Sequence, residues 1–105
     1  MISTGISIEL PKGYVSLVWD KSGIAYKFGI KVLGGVCDCN YRGEYKVILL
    51  NTSKEPYKIN KGNKVAQILI QPVQQAIIEE TSALTETTRG AGAFGSTGLN
   101  KNEGK

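Results

Sequence analysis

Tyr14-Val15-Ser16-Leu17-Val18-Trp19 is the stretch that decides the fold class. Two β-branched and two aromatic side chains lie between the turn formers Pro11-Lys12-Gly13 and Lys21-Ser22-Gly23, which is the composition of a short strand between two turns. Working outward, further turn signals stand at Gly34-Gly35, residues 40–43, residues 51–56, residues 60–62 and Pro72. Between them lie more strand-like runs. Ile6-Ser7-Ile8-Glu9-Leu10 alternates strictly, residues 44–50 begin by alternating and end apolar, and residues 64–70 and 73–79 complete the set. Short strands at this spacing predict an all-β sandwich or barrel. One helix is expected, Ser22–Phe28, with Ser22 as its N-cap. From residue 81 to 88 the chain turns polar and threonine-rich. The reading is therefore a β domain over residues 1–80, then a tether and C-terminal arm over residues 81–105.

Composition narrows the chemistry. The 105 residues make one domain with a modest core, and 41% apolar residues is ordinary for a soluble protein. The net charge of +4 is spread along the chain, which favours attraction of a small polyanion over a nucleic-acid surface. There is no histidine, so imidazole metal sites, histidine bases and Ser-His triads are excluded. Cys37 and Cys39 form a lone C-x-C, too few ligands for a structural zinc, and read as free thiols in a reducing cytoplasm. Asn51-Thr52-Ser53 matches a glycosylation sequon, but nothing else points to secretion. The longest apolar run, residues 47–50, cannot span a membrane, and no leader pattern opens the chain. A cytoplasmic protein with no membrane or nucleic-acid partner is expected.

Near the end stands Arg89-Gly90-Ala91-Gly92-Ala93-Phe94-Gly95-Ser96-Thr97-Gly98. Residues 90–95 satisfy G-x-G-x-x-G, yet that fingerprint needs a strand before it and a helix after it. Here only a short polar segment follows, and no Gly-Lys-Ser/Thr makes it a P-loop. Two readings of the stretch stay open on residues alone: a solvated tail, or a lid. In the lid, Arg89 grips an anion, Phe94 covers a flat ring, and the groups around Gly95, Ser96 and Thr97 line phosphates.

Four segments, taken in order, carry a resemblance. They are Trp19-Asp20-Lys21-Ser22-Gly23-Ile24-Ala25, Gly35-Val36-Cys37-Asp38-Cys39-Asn40-Tyr41-Arg42-Gly43-Glu44, Gly62-Asn63-Lys64-Val65-Ala66-Gln67-Ile68 and the arm stretch. In order and spacing they resemble the second to fifth motifs of the homotrimeric dUTP pyrophosphatases, or dUTPases. The resemblance covers essentially the whole chain. It implies a distorted jelly-roll (β-clip) fold with one short helix and a flexible C-terminal arm. It also implies hydrolysis of dUTP to dUMP and diphosphate, which keeps uracil out of DNA.

The resemblance assigns roles residue by residue. Asp38 matches the catalytic aspartate, and a carboxylate is the natural base where histidine is absent. Tyr41 matches the tyrosine under the deoxyribose, whose ring excludes a 2′-hydroxyl. Gly34, Gly35, Val36 and Cys37 match the hairpin into which uracil inserts, and Lys46 borders the same pocket. Lys21, Ser22 and Gly23 match a phosphate-binding turn, and Gln67 a glutamine near the phosphates. Arg89 would hold the γ-phosphate and Phe94 would stack on uracil, with Gly95, Ser96 and Thr97 closing over the chain. Mg²⁺ would be held mainly by the triphosphate and water, with no direct protein ligand. A homotrimer with active sites shared between subunits is implied as well.

The chain also departs from the family pattern. The first motif, Ala-Gly-x-Asp, is absent, so the fold is expected to be N-terminally shortened, with strand edges uncovered. Lys21 stands where arginine is usual, Asn40 where aspartate is common, and Cys37 where an aliphatic residue is common. An alternative reading is therefore a catalytically impaired, dUTPase-like nucleotide-binding or regulatory module, or a fragment. The related dCTP deaminases need a catalytic glutamate on a strand that here reads Val47-Ile48-Leu49-Leu50-Asn51. A single-strand nucleic-acid binder would interleave aromatics and lysines along one face, which this chain does not do.

Overall fold

The computed structural model describes residues 1–100. Its elements are β1 (Ile2–Ser3), β2 (Tyr14–Asp20), α1 (Ser22–Phe28), β3 (Ile30–Leu33), β4 (Val36–Asp38), β5 (Lys46–Asn51) and β6 (Ala66–Pro72). They form two antiparallel three-stranded sheets, ordered β1-β5-β3 and β4-β2-β6. The all-β class, the deciding strand at residues 14–20 and the single short helix are as the sequence predicts.

As the central strand of its sheet, β2 buries Val15 and Ser16 on successive, opposite faces. In β3 the alternation is clean, with Ile30 and Val32 buried and Lys31 and Leu33 exposed. Leu10, Tyr45 and Val47 complete the small core. Two polar links join the sheets. Asp20, ending β2, accepts from the Lys31 ammonium at 2.7 Å and from the Val32 N–H at 2.6 Å, both on β3. Ser16 of β2 shares a buried 2.7 Å hydrogen bond with the Tyr45 hydroxyl, just before β5.

Several local expectations need correction. Residues 6–10 form no strand: Ile6 accepts one bond from Tyr45 N at 2.7 Å, and no neighbouring strand runs along the segment. Residues 73–79 form none either and are exposed throughout. Lys21, not Ser22, is the N-cap of α1, and no side chain caps it. Ser22 is instead the first helical residue. The three shortest strands, β1, β3 and β4, were not among those predicted.

β6 pairs with the whole of β2, yet Ile68, Leu69 and Ile70 remain 40%, 47% and 53% exposed. Beyond it, Val73, Ile77, Ile78 and Leu84 are also exposed. The radius of gyration is 19.4 Å, against roughly 13 Å for a compact domain of this length. The arm runs away from the body, and apolar side chains on both faces of β6 stay exposed in the single chain. Residues 101–105 of the predicted arm lie outside the described residues.

Candidate active site

The first cluster of candidate residues sits on β4 and the loop that follows. Gly34 and Gly35 lead into it, with φ of +68° and +110°. They connect β3 to β4, which lie in different sheets, so the expected hairpin is a crossover between sheets. Gly35 passes so close to β2 that a Cβ there would lie 2.6 Å from the Val18 carbonyl oxygen. Only glycine allows that approach. Val18 N in turn donates to the Gly35 carbonyl at 2.8 Å. β4 then runs along β2 with Val36, Cys37 and Asp38 opposite Leu17, Ser16 and Val15.

Asp38 ends β4 with its side chain exposed. One carboxylate oxygen accepts from Asn40 N at 3.1 Å, an Asx turn that fixes the carboxylate at the start of the loop. Three residues on, Tyr41 donates its hydroxyl to the Glu44 carbonyl at 2.6 Å, and its ring meets that of Tyr45 at a centroid distance of 5.8 Å. Arg42 straps the loop to the N-terminal segment, donating to the Cys39 carbonyl at 2.7 Å and pairing with Glu9 at 3.2 Å. Cys37 and Cys39 are half-buried free thiols.

A second cluster lies at the other end of β2. Lys21, Ser22 and Gly23 open α1, and the Ser22 hydroxyl has no protein partner among the described residues. Gln67, on β6 opposite Trp19, donates Nε2 to the Asp20 carbonyl at 2.7 Å. Gln67 and Lys46 also line a cleft of about 930 Å³ between the β1–β5 edge and residues 59–68. Asp38 and Tyr41 do not line that cleft.

Asp38 and the Lys21 turn do not meet within one chain. Asp38 pairs with Val15, six positions before Lys21 along an extended strand, which places them roughly 20 Å apart. The arm forms a third group. Arg89 folds back so that Nε donates to the Gly92 carbonyl at 2.6 Å, leaving its terminal nitrogens without a partner among the described residues. Phe94 is fully exposed and takes a positive φ of 44°, unusual for a residue with a side chain. Gly95, Ser96 and Thr97 sit in the turns that follow.

Sequence reading missed Asp20, Ser16 and Tyr45, which hold this framework. The Lys31 ammonium, then the Val32 N–H, hold the Asp20 carboxyl below its usual 3.8. A depressed carboxylate stabilises the fold above its unfolded value and loses that contribution as pH falls through the folded value. The stability difference between the natural chain and Asp20→Asn should therefore be constant above about pH 5 and shrink below pH 4. Urea unfolding between pH 3 and 7 measures it, and a difference that does not change with pH would remove the Asp20–Lys31 pair as a source of stability.

This geometry meets a clear likeness. A dUTPase family model matches residues 1–98. The deoxyuridine 5'-triphosphate nucleotidohydrolase of Paramecium bursaria Chlorella virus 1 is 46% identical over 98 residues, covering 93% of this chain and 70% of the relative. The chain belongs to the dUTPase family. The Rickettsia felis nucleotidohydrolase is 48% identical over 101 residues, covering 94% of this chain and 68% of that enzyme. Among solved structures, a Staphylococcus bacteriophage 80alpha dUTPase mutant with dUpNHpp superposes with a TM-score of 0.79 at 22% identity, over 92% of this chain and 74% of that one. A mutant dUTPase of the S. aureus phage phi11, described for its structural Mg(II) ion, gives 0.73 at 21% identity, over 80% and 72%. These two share the dUTPase fold. Among the described residues, no group of three or more acidic or cysteine side chains gathers as a metal site. No helix among them is long and apolar enough to cross a membrane.

Proposed function

We propose that this dUTPase-family chain hydrolyses dUTP to dUMP and diphosphate, in a homotrimer whose active sites are shared between subunits. The observation that carries the shared site is the separation of Asp38 from the Lys21–Gly23 turn along β2. A general base and the groups holding the adjoining phosphates must act within hydrogen-bond reach of one ligand. At roughly 20 Å they serve the same nucleotide only when Asp38 comes from one subunit and the turn from another. The exposed apolar side chains of β6 supply area for such an assembly, and the extended arm supplies reach.

In this reading Asp38 accepts the proton of a water attacking the α-phosphate, while the Asx bond from Asn40 keeps the carboxylate aimed. Tyr41 lies under the deoxyribose. The backbone of Gly34, Gly35, Val36 and Cys37 reads the uracil edge, with Lys46 at its border. The Lys21 ammonium and the Ser22 hydroxyl hold phosphates, with Gly23 letting the backbone approach and Gln67 bracing the turn through the Asp20 carbonyl. Arg89 clamps the γ-phosphate, and Phe94 stacks on the base as Gly95, Ser96 and Thr97 close over it. The domain of residues 1–80 thus supplies the chemistry, and residues 81–105 the tether and lid.

dUTPases work with Mg²⁺, which neutralises phosphate charge when bound. The single exposed carboxylate of Asp38 offers no cage for such an ion, which would instead be held by the substrate triphosphate and water. With no membrane-spanning helix among the described residues, a cytoplasmic site of action fits a nucleotide substrate.

Diphosphate release from dUTP tests the activity, alongside calorimetric binding of a non-hydrolysable dUTP analogue. Turnover is expected, whereas binding without turnover would favour a catalytically impaired nucleotide-binding module. Phe94→Ala should weaken analogue binding by about 1–3 kcal/mol, the loss of one stacking contact. Unchanged affinity would mean that the arm does not close on the base.

A further inference from the structure

Beneath the Asp38–Tyr41 loop lies a polar network that the reaction outlined above does not use. Ser16 is fully buried on β2, where its Oγ donates to the Cys37 carbonyl at 3.2 Å. The same oxygen lies 2.7 Å from the Tyr45 hydroxyl. A carbonyl only accepts, so the single serine proton goes to Cys37 and the tyrosine proton must go to Ser16. The direction of the chain is thereby fixed, from Tyr45 through Ser16 to the carbonyl immediately before Asp38.

Tyr45 is well placed to bear load. It is 6% exposed, its N–H donates to the Ile6 carbonyl at 2.7 Å, and the Thr4 hydroxyl donates to its own carbonyl at 2.5 Å. Its ring backs the Tyr41 ring at 5.8 Å and an interplanar angle of 57°, a tilted aromatic contact. Tyr41 is 42% exposed. Its hydroxyl is tied to Glu44, and one side of the ring is supported by a buried residue that is itself held by hydrogen bonds.

We propose that Tyr45 is a positioning residue which, acting through Tyr41, sets the discrimination between 2′-deoxyribonucleoside and ribonucleoside triphosphates. This rests on the reading of Tyr41 under the sugar. Steric rejection of a 2′-hydroxyl depends on stiffness, because a ring that yields by about an ångström lets the extra oxygen in. Tyr41 alone, tethered at its hydroxyl on an exposed loop, can tilt. Backed by Tyr45, which Ser16 locks to β2, it cannot.

The experiment compares kcat/KM for dUTP and UTP in the natural chain, Tyr45→Phe, Tyr45→Leu and Tyr41→Ala, with circular dichroism to confirm folding. Tyr45→Leu removes the ring and should lower the dUTP:UTP ratio by about tenfold or more, chiefly through improved use of UTP. Tyr45→Phe keeps the ring but cuts the anchor, and should lower the ratio by less. A purely structural role would lower both substrates in proportion and leave the ratio unmoved. If the leucine variant does not fold, Tyr45→Phe decides alone, and an unchanged ratio in it overturns the proposal. Failure of the underlying reading looks different: no preference for dUTP in the natural chain, or a preference that survives Tyr41→Ala.

Discussion

Asp38→Asn is expected to cut dUTP turnover by about 10²–10⁴-fold, the usual contribution of a positioned general base, with nucleotide affinity little changed. The substitution is nearly isosteric, and its amide oxygen can still accept from Asn40 N, so the Asx turn that opens the loop survives. β4 stays in register with β2 because that pairing is made by backbone groups. What disappears is the basic oxygen. Histidine is absent, Asp20 is held by Lys31 and Val32, and Glu9 is paired with Arg42. A fall in kcat with an unchanged dissociation constant for a non-hydrolysable analogue is the signature of a group that acts in the transition state. Near-normal turnover would move the base elsewhere.

The fold was legible where its signal is local. Residues 14–19 are β-branched and aromatic between turn formers, and they form the central strand of a sheet. Alternation misled at Ile6-Ser7-Ile8-Glu9-Leu10, because a period of two reports a face and not a partner. The backbone of that segment meets another segment only through the bond from Tyr45 N to the Ile6 carbonyl, and it builds no ladder. Residues 73–79 failed for a related reason: their apolar positions find no cover within one chain. β3 was overlooked because Ile30-Lys31-Val32-Leu33 is only four residues long between Gly29 and Gly34. Its alternation is clean but too brief to stand out.

The candidate site was legible as strings of residues but not as an arrangement. Gly34 to Glu44 is contiguous, so its chemistry can be read along the chain. That Asp38 and Lys21 lie at opposite ends of β2 follows only from strand pairing. The braces were invisible for the same reason. Asp20 reaches Lys31 across eleven positions, Ser16 reaches Tyr45 across twenty-nine, and Arg42 reaches Glu9 across thirty-three. Sequence spacing of that kind carries no signal until the sheets are formed.

Gly35→Ala should destabilise the fold by on the order of 3 kcal/mol, through a close approach and an unfavourable backbone angle acting together. The added Cβ would lie 2.6 Å from the Val18 carbonyl oxygen and 3.2 Å from the Val18 Cβ, so β4 must retreat from β2. Retreat stretches the 2.8 Å bond from Val18 N to the Gly35 carbonyl. Gly34→Ala is the matched control. Its φ of +68° is also in the left-handed region, but a Cβ there meets nothing within 4 Å. That variant should lose only the backbone term, about 1–2 kcal/mol. Urea denaturation of the two variants side by side separates crowding from conformation. Folded Gly35→Ala should also lose turnover, because the register that sets Asp38 opposite Val15 begins at this contact. Equal costs for the two variants would mean that β4 can back away from Val18 freely, and that the position of Asp38 is fixed by the Asn40 turn and the Ser16 bond instead.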